Sequence, residues 1–135
     1  MKFLAALLLL SSLSLQARAE EERFKVMHVD ELAAALKSKH APTVCDANNK
    51  ETRNKAGIVP GALLLSSASK FNVSKELPAD KAAPLVFYCA NKMCMASHEA
   101  ANKALDAGYK NVSVMVDGIF GWKDAGQPVA RPKKS

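Results

Sequence analysis

Long apolar runs are scarce in this chain. The one near the N-terminus, Phe3 to Leu10, is shorter than the roughly 20 apolar residues a membrane-spanning helix needs. No second such segment follows, so the processed chain is expected to be soluble and free of the membrane. Charge of one sign is also sparse. The formal charge is +6 over 135 residues, with no basic stripe and no interleaved aromatics. Nucleic-acid binding therefore has no support. Part of the excess sits in the tail "ARPKKS", and it is compatible with small anionic substrates without demonstrating them. Repeats and low-complexity segments are absent. So is the Cys-x2-Cys spacing of structural zinc sites. The chain has only three cysteines: Cys45, Cys89 and Cys94. An odd count leaves at least one thiol unpaired in an oxidising compartment, and that thiol is either buried and inert or reactive.

What is present begins with a leader. "MKFLAALLLLSSLSLQARA" has Lys2, then the short apolar core, then Ala17-Arg18-Ala19, a small-x-small pattern. That three-part build reads as a secretory signal peptide, cleaved after Ala19. The alternatives are an uncleaved anchor or a buried helix. Residues 1–19 are thus assigned to the leader and 20–135 to one domain with a core of about 24–130. Export is expected, with a Gram-negative periplasm as the destination.

The domain reads as alternating strands and helices. "FKVM" (24–27), "PTVCD" (42–46), "VPGALLL" (59–65), "PLVFYC" (84–89) and "NVSVMV" (111–116) have strand character. "DELAAALKSK" (30–39) and the alanine-rich "CMASHEAANKALDAG" (94–108) have helical character, the latter stopped by Gly108. "ANNKETRNKAG" (47–57) is polar and loop-like, with one helical turn at most. Residues 66–83 hold a helical turn or two. "GIFGWKDAG" (118–126) is a short helix or turn with the only Trp. Such alternation predicts an α/β fold with a parallel sheet and helices on both faces. The continuous apolar run at 84–89 predicts a strand covered on both sides.

In open parallel sheets, ligands bind outside the carboxyl ends of the strands. Cys89 ends the most apolar strand, "ANKM" forms a loop, and Cys94 opens the next helix. Backbone N–H groups of the loop and the helix dipole favour an anion there. They are expected to lower the Cys89 thiolate pKa, with Lys92 assisting. A buried, inert Cys89 is the alternative on position alone.

The stretch "VFYCANKMCMASHEAANKALDAGYKNVSVMVDGIFGWKDAGQPV" resembles the second half of a rhodanese domain. Upstream, "CDANNKETRNKAGIVPGA" resembles that family's first conserved segment, with Asp46, Gly57, Pro60, Gly61 and Ala62 in place. The resemblance spans roughly residues 24–130. It implies a central parallel sheet of about five strands and a sulfurtransferase activity without a cofactor. Cys89 would take sulfane sulfur from thiosulfate or another small anionic donor. It would hold the sulfur as a persulfide and pass it to a thiol or cyanide acceptor. Ala90, Asn91, Lys92, Met93, Cys94 and Met95 would form the anion-binding loop, and Asp46 would support it by a hydrogen bond, unless it is a simple turn cap. Departures from the family pattern are visible. The sixth loop position, often Arg or Lys in the family, is Cys94. The Asp-x-Arg of the upstream segment reads Asp46-Ala47-Asn48. The related phosphatase branch has Cys-x5-Arg, but here Met95 occupies the last position, which argues against phosphoryl chemistry.

Cys94 has three readings. It can be a resolving thiol that forms a disulfide with Cys89, a small residue at the helix start, or part of a soft Cu(I) site with His98 and the neighbouring methionines. A non-catalytic redox or Cu(I)-binding module built on Cys89 and Cys94 is therefore the competing function; the primary reading assigns no metal. Cys45 is expected to be buried and inert, with pairing to Cys89 or Cys94 as the alternative; His28 and His40 are expected at the surface and Trp122 in the core. The oligomeric state is not encoded in any pattern found.

Overall fold

The computed structural model describes residues 23–133. The expected leader at 1–19 lies outside the described residues. Five strands, β1 (Lys25–Met27), β2 (Thr43–Asp46), β3 (Leu63–Leu64), β4 (Leu85–Tyr88) and β5 (Val112–Met115), form one sheet in the order β1-β5-β4-β2-β3. Every pairing is parallel. The connections carry α1 (Val29–Ala35), α2 (Lys50–Ala56), α3 (Val73–Glu76), α4 (Ala96–Asp106) and α5 (Gly118–Asp124). No helix among the described residues is long and apolar enough to cross a membrane.

β4 is the middle strand, and its side chains explain its apolar run. Leu85 and Phe87 join one core, with Phe71, Tyr109 and the buried Ala100, Ala101 and Ala104 of α4. Val86 and Tyr88 join the other, with Leu32 of α1, Ala56 of α2 and Ile119 and Trp122 of α5. Successive strand residues point to opposite faces, and both faces are covered by helices, so β4 is apolar apart from the partnered Tyr88 hydroxyl. Three alanines on the inner face of α4 let that helix lie close to the sheet. Trp122 packs in the core as expected, and its Nε1–H donates to the Pro128 carbonyl at 2.7 Å.

Two differences from the sequence reading bear on the site. Residues 47–57 contain a true helix, α2, rather than a loop with a turn. Its start is capped by Asn49, whose Oδ1 accepts from Thr52 N–H at 2.9 Å, a standard N-cap arrangement. Only Ala56 of the helix is buried, so no hydrophobic periodicity announces it. The second difference is the start of α4. Cys94 does not open this helix, which begins at Ala96 after Met95 as N-cap. Asn91 takes the intervening residues into a turn of its own. Its side-chain oxygen accepts from Met93 N–H at 3.0 Å, and its carbonyl accepts from Cys94 N–H at 3.1 Å.

The start of α5 touches the turn after β4. Ile119 N–H donates to the Cys89 carbonyl at 2.9 Å, and Phe120 N–H to the Ala90 carbonyl at 3.0 Å. Only glycine fits at position 118. Its φ is +67°, and a Cβ there would lie 2.4 Å from the Ala90 carbonyl carbon and oxygen. Gly126 has a similar φ, +75°, but open space around it. The left-handed backbone alone costs a side chain about 1–3 kcal/mol. Gly118→Ala is therefore expected to lower the unfolding free energy clearly more than Gly126→Ala in parallel denaturant titrations. Equal losses in the two variants would show that the close approach carries no energy.

Candidate active site

Cys89 follows β4 directly and is 2% exposed. Its Sγ is joined to Cys94 Sγ in a disulfide across a Cα–Cα distance of 6.3 Å. That distance lies within the span of about 4.4–6.8 Å usual for disulfides. The Cys89 sulfur also lies 3.3 Å from Ser97 Oγ and 3.2 Å from the Cys94 carbonyl oxygen. Ser97 is buried in the first turn of α4. Its hydroxyl can donate to a thiolate on Cys89, and the positive end of the α4 dipole favours the same charge. The sequence reading did not single out Ser97. The available signal was a small polar residue in the first turn of the helix that follows the cysteine loop.

A cleft of about 420 Å³ opens beside this sulfur pair, lined by Asn48, Asn49, Thr52, Ser66, Ser67 and Cys94 among others. Cys94 is half-buried and forms part of the cleft wall, whereas Cys89 lies behind it. The wall is polar but carries no charged side chain. The Asn48 side-chain Nδ2 is buried and has no hydrogen-bond partner among the described residues.

The loop Ala90–Met95 departs in part from the expected cradle. The N–H groups of Met93 and Cys94 are consumed by Asn91, so an anion can be served only by the other N–H groups of the loop and of the first turn of α4. Lys92 does not lend its full charge to Cys89. Its ammonium lies 3.7 Å from Asp117 Oδ1, and Asp117 Oδ2 lies 3.0 Å from His28 Nδ1. His28 is thus at the surface as expected, but partnered. Met93 and Met95 are exposed, 89% and 57% respectively. The His98 ring packs edge-on against Phe24 with centroids 5.0 Å apart. Cys94 and His98 do not share a helix face, because Cys94 precedes α4. Among the described residues no group of three or more His, Cys, Asp or Glu gathers in metal-binding geometry.

Asp46 is fully buried at the carboxyl end of β2. It does not bond the loop 90–95 itself. Its Oδ2 accepts from the Tyr88 hydroxyl at 2.5 Å, next to Cys89 in the chain. Its Oδ1 accepts from Asn48 N–H at 2.7 Å, the turn-cap role, and from Arg53 Nε at 3.1 Å. Arg53 also donates to the carbonyls of Asp46 and Leu65, at 2.8 and 2.9 Å. Tyr88 in turn accepts from Val59 N–H at 3.1 Å. Burial, then the Asp46 carboxylate, pushes the Tyr88 hydroxyl well above its ordinary pKa. It therefore stays a donor. Arg53 went unremarked in the sequence because it sits in the polar stretch read as a loop.

Cys45 is fully buried and unpaired, one residue before Asp46. Burial, then the neighbouring carboxylate, pushes its thiol from 9.0 up to about 12. A buried thiol held protonated is a poor nucleophile, in agreement with the inert role expected.

Two measurements follow from these groups. Arg53→Met leaves the Asp46 carboxylate buried without its cation, a loss of about 3–5 kcal/mol where such pairs are broken. Denaturant unfolding checks it, and a loss below about 1 kcal/mol, the range of exposed pairs, contradicts it. The raised Cys45 pKa stabilises the fold fully below pH 9.0 and is lost as pH rises from there toward 12. Within that window its slope is about 1.4 kcal/mol per pH unit. The alkaline fall in unfolding free energy should be shallower in Cys45→Ala; superimposable pH profiles would refute the assignment.

Comparison with known proteins agrees with this architecture. The family model for the rhodanese-like domain matches residues 28–125. No curated protein matches the chain. A rhodanese-like domain from Anabaena sp. superimposes with a TM-score of 0.65 at 22% identity, over 83% of this chain and 81% of its own. A thiosulfate sulfurtransferase from Pseudomonas aeruginosa gives a TM-score of 0.66 at 21% identity, over 82% of this chain but 21% of its own. A protein of unknown function from Rhodopseudomonas palustris, described as a possible tyrosine phosphatase, gives 0.64 at 22% identity, over 79% of this chain and 85% of its own. At these identities the structural likeness is one of fold. The family match over most of the chain goes further, and by it this chain belongs to the rhodanese-like domain family.

Proposed function

We propose that this protein is a sulfurtransferase that carries sulfane sulfur on Cys89. The observation that carries the reading is the position of the Cys89 sulfur. It sits past the carboxyl end of the middle strand, beside Ser97 Oγ, at the start of α4 and next to a polar cleft. Once the disulfide is reduced, the Cys89 thiolate attacks the outer sulfur of a donor such as thiosulfate. The donor's S–S bond breaks, sulfite leaves with the electron pair, and Cys89 holds a persulfide. A thiol or cyanide then attacks the outer sulfur and restores the thiolate. Covalent catalysis of this kind divides one transfer into two easier ones and gives ping-pong kinetics. The Ser97 hydroxyl and the remaining N–H groups of the loop and helix start stabilise the anionic states. No arginine lines the cleft to grip a sulfonate, so a donor with less charge than thiosulfate suits it equally. Phosphoryl transfer finds no support here, since Met95 stands where that chemistry places an arginine. With the leader removed after Ala19, the proposed setting of the reaction is the periplasm, as expected from that leader.

One observation favours a second reading, a dithiol/disulfide module that transfers electrons but no sulfur: the Cys89–Cys94 pair is joined. Mass spectrometry separates the two. Reduced Cys94→Ser protein, freed of reductant and incubated with thiosulfate or polysulfide, should gain the mass of one sulfur atom mapped to Cys89. Cys89→Ser should gain none. A reduced Cys94→Ser chain that never acquires sulfur at Cys89 leaves only the redox module.

A further inference from the structure

We infer that Cys94 resolves the Cys89 persulfide, so that the protein reduces sulfane sulfur to sulfide as well as passing it on. The inference rests on the sulfur-carrier reading of Cys89 and adds a second exit for the bound sulfur.

Three features of the site carry it. First, the two sulfurs meet without any rearrangement of the elements that hold them, across a Cα–Cα distance of 6.3 Å. Second, Cys94 is held there by a turn rather than by a helix. Asn91 accepts from the Met93 and Cys94 N–H groups and curls the chain back over the strand end. Third, the two sulfurs differ in access. Cys94 is half-buried on the cleft wall, and Cys89 is 2% exposed behind it. Cys45, the other thiol, is fully buried and unpaired, which leaves Cys94 as the resolving group.

The step follows from this placement. Cys94 Sγ lies against Cys89 Sγ, so it attacks that inner sulfur of the persulfide rather than the outer one. The new Sγ–Sγ bond forms as the bond from Cys89 Sγ to the outer sulfur breaks. The outer sulfur leaves with the electron pair as hydrosulfide, taking up the proton that the Cys94 thiol gives up. The sulfane sulfur gains two electrons, and the two cysteines lose two by becoming the disulfide. An external dithiol closes the cycle. It attacks Cys94 Sγ from the cleft, expels the Cys89 thiolate, and is itself oxidised to a disulfide. Exchange of this kind proceeds through a mixed disulfide at the accessible sulfur. The joined pair is then the product of one turnover rather than a structural staple.

A single-turnover experiment tests this on the full processed chain. The reduced protein, freed of reductant, is loaded with thiosulfate labelled in its outer sulfur and, separately, with polysulfide; no acceptor is added. In wild type the label should leave as sulfide, one per chain, with a Cys89–Cys94 disulfide in the peptide map. In Cys94→Ser the label should stay on Cys89 as a persulfide, and sulfide release should fall at least tenfold. Cys94→Ala should behave alike, which excludes an effect of the serine hydroxyl. The inference is overturned, with the carrier reading intact, if wild type keeps the label on Cys89 beside a free Cys94 thiol. It is equally overturned if the label moves to Cys94 as a persulfide. If neither wild type nor Cys94→Ser ever takes up label from either donor, both readings fall together.

Discussion

A carboxylate sealed from water at the end of a strand organises this molecule. Asp46 reaches Tyr88 on β4, Arg53 on α2 and the backbone of Asn48. Arg53 then reaches the carbonyl of Leu65, just beyond β3. Three neighbouring strand ends are thereby tied to one charge. An isolated buried carboxylate would be very costly, and its partners offset that cost only while all of them keep their geometry. The residue after Tyr88 is Cys89, so the same constraint that holds the sheet edge also sets where the sulfur stands. From the other side, α5 holds the carbonyls of Cys89 and Ala90 through two backbone bonds.

Much of this was legible from residue patterns because it rests on local rules. The apolar run of β4 announces a strand covered on both faces, and the alanines of α4 announce a helix lying close to it. Cys89 could be placed at the carboxyl edge on topology alone. Other features depend on contacts between residues far apart in the chain and leave no local mark. α2 buries one alanine, and its principal anchor is the polar side chain of Arg53, which a hydrophobic pattern cannot register. Lys92 meets Asp117 across the fold, so its apparent duty toward Cys89 is shared with a carboxylate. The use of Asn91 to turn the chain before α4 displaced the helix start by two residues. It also removed two N–H groups from the expected cradle. Ser97 was hidden for a simpler reason: a small polar residue in a helix's first turn is ordinary, and only its distance to Cys89 gives it meaning.

Joining Cys94 to Cys89 changes what the loop is. With the bond closed, the buried sulfur carries no charge, and Ser97 and the α4 dipole have no anion to stabilise. With the bond open, the same groups act on a thiolate. The electrostatic features of the site therefore serve only one of its two oxidation states, and access to that state is controlled from the cleft wall where Cys94 sits.

The burial of Cys45 has a consequence for the chain as a polymer with an odd number of thiols. Three cysteines allow three intramolecular pairings, and an exposed leftover thiol also permits covalent dimers. Cys45 lies within the sheet, registered against Phe87 on one side and Leu63 on the other. No oxidant reaches it while the sheet is intact. In the folded chain the burial of Cys45 reduces the three pairings to one, and only Cys89 and Cys94 are left to oxidise.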